Sequence, residues 1–251
     1  MARYICLGRY NVSTSIMRLN LFARLVRLVM PKRRESTYVW ITWVNRLISG
    51  EDYCEWSSWF KSNYEGNSYR KEPSSFDAAN WHIEHTTLLQ NTRQRFENEG
   101  YKVFIQNQNA IKLQGQTAML SGIPDLIGIS GNSAVVVDVK TGQPSPSHST
   151  QVLMYMYALE KYDSRFRDVS LEGIVVYADH DLRIPDGSVT EKFISNLGGL
   201  MRRLSADVPA VKVPSEQECS FCPITKDDCA EKFFLQEDSD KKDKFSTTDD
   251  F

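Results

Sequence analysis

Residues 121–155 read SGIPDLIGISGNSAVVVDVKTGQPSPSHSTQVLMY, and their reading decides the fold. An apolar segment carries a single carboxylate, Asp125. Gly131-Asn132-Ser133 forms a tight turn that reverses the chain. The returning segment, residues 134–139, is apolar and β-branched almost throughout, which predicts a central strand buried on both faces. Asp138 lies near its end, and Lys140 stands two residues further on. A helical segment then presents Gln151 and Tyr155 one turn apart. Acids at the ends of strands that could otherwise be pure core need a chemical reason.

The spacing suggests one. A tight turn between Asp125 and Asp138 brings both carboxylates to the same end of neighbouring strands. Alternate residues of a strand share a face, so Asp138 and Lys140 point the same way. Hard oxygen ligands suit Mg²⁺ or Mn²⁺, which bind through one or two carboxylates and keep several waters. Such an ion polarises a phosphoryl oxygen and supplies a water nucleophile. A lysine beside that water can orient it or stabilise the developing charge. Taken alone, D-x-K also describes a surface Asp and Lys at a strand end. The preceding I-P-D segment, the turn and the apolar run favour the catalytic reading. Gln151 and Tyr155 also fit the rim of a helix that packs Leu153, Met154, Met156 and Tyr157 into the core. Their place after the D-x-K favours contact with phosphate or base edges.

Outward from this stretch, residues 101–105 start a strand, and 107–113 form a second strand or its continuation. Residues 119–129 make a third extended segment, with Gly122 and Pro124 at its start or at a bulge. Downstream come a helix at about 147–161, a strand at 172–177 and a helix at 190–204. The class is α/β, a central mixed sheet flanked by helices. The front end is helical: Val39, Trp40, Trp43, Val44 and Leu47 recur at helical spacing. Trp56, Trp59 and Phe60 follow just after Cys54. Residues 65–75 read as a loop, and a longer helix runs from Phe76 through His82, His85, Leu88 and Leu89 to Phe96. His82 and His85 roughly share a face, a weak sign of metal binding on its own. Residues 177–182 (YADHDL) read as a polar turn. His148 borders a helix, and Arg202 and Arg203 close the last one.

The chain of 251 residues is 41% hydrophobic and 25% charged, enough for one large domain with a core. A net charge of −2 carries no global signature of nucleic-acid binding, though a local cleft can still hold a positive field. Residues 1–36 form a basic extension, with an amphipathic helix that Pro31 ends. It fits a membrane surface, nucleic acid, a partner or a transit peptide, and equally a poorly ordered extension. Residues 236–251 are polar and acid-rich, a disordered tail by composition. No apolar run is long enough to span a bilayer. Five cysteines, an odd number, do not make a disulfide framework. Cys219, Cys222 and Cys229 read as metal ligands in a reducing compartment, the cytoplasm, with Cys54 as the natural fourth. Cys6 falls outside that pattern.

Pro124-Asp125, then Asp138-Val139-Lys140, then Gln151 with Tyr155 resemble the signature of the PD-(D/E)xK nuclease superfamily, in its RecB-like branch. The resemblance implies a restriction-endonuclease-like core over residues 37–235, with a helical N-terminal part and a C-terminal cysteine cluster. It implies a metal shell of His85, Asp125, Asp138 and the backbone carbonyl of Val139, with His82 as the reserve and Lys140 at the attacking water. Cys54, Cys219, Cys222 and Cys229 resemble the [4Fe–4S] staple of RecB-like nucleases such as the CRISPR-associated exonucleases, and a Cys₄ zinc site is the rival. The implied activity is metal-dependent hydrolysis of DNA, by an exonuclease on single-stranded or end-bearing substrate. The implied partners are DNA and other subunits of a DNA-processing or defence complex, since no Walker loop or helicase motif occurs in the sequence. The alternative is a DNA-binding adaptor subunit with little cleavage of its own.

Overall fold

A computed structural model describes residues 30–74 and 76–233. The amphipathic helix expected before Pro31, Cys6 and the acidic tail lie outside the described residues. The strands are β1 (Tyr38–Trp40), β2 (Lys102–Ile105), β3 (Ile111–Gln114), β4 (Met119–Gly122), β5 (Leu126–Ser130), β6 (Ser133–Val139), β7 (Ser170–Val176) and β8 (Asp181–Ile184). The helices are α1 (Asn45–Ser49), α2 (Glu55–Asn63), α3 (Ala78–Asn98), α4 (Pro146–Tyr162), α5 (Glu191–Leu204) and α6 (Glu216–Ser220). Two mixed sheets result, ordered β1-β4-β3 and β2-β5-β6-β7-β8. Helices cover them, so the molecule has the expected α/β class.

As expected, β5 and β6 form an antiparallel hairpin, with Leu126 opposite Val137. Residues 134–139 of β6 are buried without exception. Odd positions of β6, Val135, Val137 and Val139, pack on Leu89 and Phe96 of α3. Even positions, Ala134 and Val136, face the core that holds Val152 and Met156 of α4. Asp138 shares their parity and therefore faces α4.

Residues 119–129 do not form one strand. The first half, β4, pairs with β1 and β3, and the second half, β5, pairs with β2 and β6. Pro124 brings no N–H to a ladder, so the chain changes sheet at residues 123–125. Asp125 thus stands at the junction of the two sheets. Residues 107–113 are likewise divided, into a 3₁₀ turn at Gln106–Asn109 and β3.

The front end begins as a strand and not as a helix. Tyr38, Val39 and Trp40 pair in parallel with Met119, Leu120 and Ser121, and only the middle one is buried. A short apolar run supports either period, and an open edge of β4 decides for the strand. The polar turn expected at residues 177–182 holds only in part, because Asp181–Ile184 closes the large sheet as an edge strand against β7. Residues 32–34, inside the expected extension, lie on the end of α2 through Arg34 N–H to Asn63 O (2.7 Å) and Glu65 N–H to Lys32 O (2.8 Å). Among the described residues, no helix is long and apolar enough to cross a membrane.

Helix α4 is pinned from two sides. Its N-terminus is capped by Ser145, with Pro146 in the first turn. Glu51 reaches across from the loop after α1, accepting from Ser145 Oγ (2.6 Å) and Ser147 N (2.8 Å). Burial pushes the Glu51 carboxyl up, but bonds from Ser145, Ser49 and Ser147 outweigh it and bring it down to about 2. Beneath the helix, a Cβ on Gly173 of β7 would sit 2.5 Å from Val152 Cγ1 and 2.8 Å from the Met156 sulfur. Only glycine lets α4 lie this close to the sheet.

Gly173→Ala is expected to destabilise the domain by about 1–3 kcal/mol through overpacking, read as a lower urea midpoint. Glu51→Gln is expected to cost about 2 kcal/mol at pH 7. Because the folded carboxyl titrates below its unfolded value, wild type keeps that advantage above pH 4.5 and loses it as pH falls toward 2. Urea unfolding of both proteins between pH 7 and pH 3 follows the convergence.

Candidate active site

Asp125 enters the site from the junction between the sheets, and Asp138 from the last turn of the pleat in β6. The Asp125 carboxylate accepts from Val139 N (2.9 Å) and lies 3.3 Å from His85 Nε2 on α3. His82, one turn earlier, is exposed, and the acids have no bond from it. Asp138 is 3% exposed. Its Oδ1 accepts from Gln151 Nε2 (2.9 Å). Its Oδ2 is shut away from solvent with no directed hydrogen bond, and meets only the ammonium of Lys140 at 2.6 Å. Burial pushes the Asp138 carboxyl up to about 6, with Lys140 pulling it down and Asp125 adding to the rise.

Gln151 is saturated. Its amide nitrogen donates to Asp138 and to Tyr155 OH (3.1 Å), and its oxygen accepts from Lys140 Nζ (3.1 Å) and Asn45 Nδ2 (3.4 Å). This network sets which end of the amide is nitrogen. Tyr155 donates to Ile123 O (3.2 Å), and burial, with Asp138 beside it, raises its phenol so that it stays protonated. Both side chains are buried. They face the acids rather than an open surface, so they position Asp138 and Lys140 where the sequence suggested contact with phosphate or bases. Gly122 makes room for them, since a Cβ there would lie 2.7 Å from Tyr155 Cε1.

Sequence reasoning missed the residues that hold the junction. Three successive carbonyls are bonded from two elements, α4 and the 3₁₀ turn at Gln106–Asn109. Ile123 O accepts from Tyr155, Pro124 O accepts from Asn109 Nδ2 (3.2 Å), and Asp125 O accepts from Gln106 N (3.0 Å). Gln106 takes a left-handed conformation to do so, with φ of 46°. Asn109 is buried and also donates to Phe104 O (2.9 Å). Nothing in the polar run Gln106-Asn107-Gln108-Asn109 marks these two residues beforehand. His148, on the first turn of α4, bonds Tyr177 OH through Nδ1 (2.8 Å), and burial with nearby Lys140 lowers its imidazole to about 4, so it is neutral.

The donor types suit a hard divalent cation: one imidazole nitrogen and two carboxylates, with the Asp138 Oδ2 buried against Lys140. Among the described residues, no three His, Cys, Asp or Glu side chains close around one point as a finished metal shell.

The four cysteines lie in another region, without closing around one point. Cys54 precedes α2, and Glu218 of α6 accepts from Tyr53 N (2.7 Å) and Cys54 N (3.1 Å). Cys54 and Cys222 line one cavity of about 200 Å³ together with Lys61. Burial pushes the Cys222 and Cys229 thiols up, and Cys54 adds to both. All four are half-buried free thiols. The C-terminal segment is also held by ordinary bonds. Glu72 N donates to Pro223 O (2.9 Å), and the buried Lys232 ammonium binds Glu72 and the carbonyls of Cys222 and Ile224.

No curated protein matches the chain in sequence. Among solved structures, the crystal structure of SSO0001 is similar at a TM-score of 0.40 and 15% identity, over 85% of this chain and 94% of that one. The model of the PD-(D/E)XK nuclease superfamily matches residues 55–226, a span that contains His85, both acids, Lys140, Gln151 and Tyr155. The span is well over half of the chain, the two mixed sheets flanked by helices are of the restriction-endonuclease type, and the chain belongs to the PD-(D/E)XK nuclease superfamily.

Proposed function

We propose that the protein is a metal-dependent deoxyribonuclease of the RecB-like branch, acting as an exonuclease on single-stranded or end-bearing DNA. The observation that carries the reading is the buried carboxylate of Asp138, with one oxygen met by Lys140 at 2.6 Å and Asp125 just before the neighbouring strand. A carboxylate this buried is costly unless something uses it. An adaptor without cleavage has no use for that cost, which weighs against the alternative of a pure DNA-binding subunit.

His85, Asp125, Asp138 and the Val139 carbonyl would hold Mg²⁺ or Mn²⁺. When bound, the ion polarises the scissile phosphate and lowers the pKa of a water. Lys140 supplies a fixed positive charge beside the attacked phosphorus, worth most where solvent is excluded. Gln151 keeps the lysine and Asp138 in register, and Tyr155 holds the backbone that carries Asp125. Hydrolysis then proceeds by in-line attack of water, with the 3′ or 5′ oxygen leaving.

Cys54, Cys219, Cys222 and Cys229 would hold a [4Fe–4S] cluster that ties both ends of the domain together, with zinc as the rival. Support comes from the sequence resemblance and from Cys54 lying near Cys222 and Cys229, more than 160 positions away, although among the described residues the thiols do not close into a finished shell. The location read from the thiols is the cytoplasm. Further subunits of a DNA-processing or defence complex would supply any unwinding.

Asp125→Ala, Asp138→Asn and Lys140→Ala are each expected to lose at least about a hundredfold in cleavage of labelled DNA with Mn²⁺ or Mg²⁺. Variants that cut as well as wild type would remove the assignment. Mn²⁺ should also raise the melting temperature of wild type but not of Asp138→Asn, because only a site that binds the folded state shifts it. For the cysteine corner, purified protein should be brown and contain iron; a colourless protein with zinc decides for the rival. Cys54→Ala should lose the metal and melt several degrees lower, and wild-type stability in that variant would refute the staple.

A further inference from the structure

The first half of α3 stands clear of the domain. Residues 76–84 are all exposed, and the helix becomes buried only at Leu89. Phe76, just before the helix, is 61% exposed and Trp81, on its free half, is 39% exposed, with ring centroids 6.0 Å apart. The Trp81 ring also lies 4.8 Å from the imidazole of His85, which in turn stands 3.3 Å from Asp125. Two large aromatic rings therefore lie open to solvent at the edge of the candidate active site.

Their surroundings identify the kind of ligand. From Phe76 to Thr92 the sequence contains no lysine or arginine. Its acids, Asp77 and Glu84, are both bonded to Asn80 within the helix. This stretch brings no cation of its own to phosphates, so what it offers a nucleic acid is its aromatic faces. Aromatic faces bind bases, by stacking. Bases inside a duplex are already stacked on both sides, whereas an unpaired base has a free face. A protein partner seated on Trp81 would cover the imidazole next to it and close the route to Asp125.

We infer that Trp81, backed by Phe76, is the stacking platform for an unpaired base next to the scissile phosphate, and that it makes the site selective for single-stranded DNA. The inference rests on the nuclease reading for the position of the phosphate, and it deepens that reading by naming the substrate class. Trp81 is a specificity-determining residue in this scheme. It touches the substrate away from the bond that breaks.

The test measures binding apart from cleavage. Full-length wild type, Trp81→Ala, Trp81→Phe and Phe76→Ala are titrated with a fluorescent oligothymidine of about fifteen residues and with a blunt duplex of the same length. Ca²⁺ replaces Mg²⁺, and binding is read by anisotropy. Trp81→Ala is expected to weaken single-strand binding about tenfold, the usual scale for one lost base stack, and to leave duplex binding within twofold. Trp81→Phe should recover most of the loss, and Phe76→Ala should show a smaller one. In turnover with Mg²⁺, the loss should appear in KM rather than in kcat. The inference is overturned if Trp81→Ala binds the oligothymidine like wild type, or weakens strand and duplex equally. It is also overturned if the substitution changes the melting temperature or the oligomeric state of the free protein, because the face is then covered by this chain or a second copy. If wild type cuts no DNA yet binds oligothymidine through Trp81, the nuclease reading fails and this one stands.

Discussion

One buried carboxylate dictates much of the structure around it. Asp138 lies in a strand whose other core positions are aliphatic, at a depth where an ionised group pays heavily for lost water. Lys140 and Gln151 offset part of that cost, and each needs its own support. Gln151 can reach Asp138 only because α4 lies close on the sheet, which Gly173 allows, and in the right register, which Glu51 sets at its N-terminus. Asn45 closes the remaining valence of the Gln151 oxygen. Residues from four separate parts of the sequence thus serve one acid. The acid makes no sense for stability alone, since an aliphatic side chain in its place would bury as well.

The second acid is held by the backbone rather than by side-chain packing. Where the chain leaves the small sheet for the large one, a ladder of hydrogen bonds is interrupted, and buried carbonyls at such a break must find partners elsewhere. Tyr155, Asn109 and Gln106 provide them one by one. The left-handed backbone at Gln106 is a local cost accepted so that its N–H meets Asp125 O. The carboxylate is then left free to face His85 and the Val139 N–H.

The hairpin, the buried strand and the order of the large helices were legible because each rests on a short-range pattern: a Gly-Asn turn, an unbroken β-branched run, a helical period ended by Gly100. The pair of acids with Lys140 was legible for the same reason, since strand parity fixes which residues share a face. What sequence reading misplaced depends on partners far away. Residues 38–40 became a strand because β4 had an edge to offer, and residues 119–129 were divided because two sheets compete for them. Gln151 and Tyr155 were found by motif, but their inward direction depends on how α4 sits. Asn109, Gln106, Glu51 and Asn45 were not found at all, because ordinary polar residues in loops and helix ends acquire a role only from what folds against them.

The tie between Glu218 and the backbone of Tyr53 and Cys54 spans more than 160 positions of sequence. During synthesis, the residues near Cys54 emerge well before their partner segment. Until then, the corner between α2 and the missing C-terminal segment stays open. This corner of the domain is therefore completed only after the Glu218 segment has been made. A contact order of this kind slows folding. It also leaves the thiol of Cys54, half-buried in the finished protein, more open to solvent in that interval.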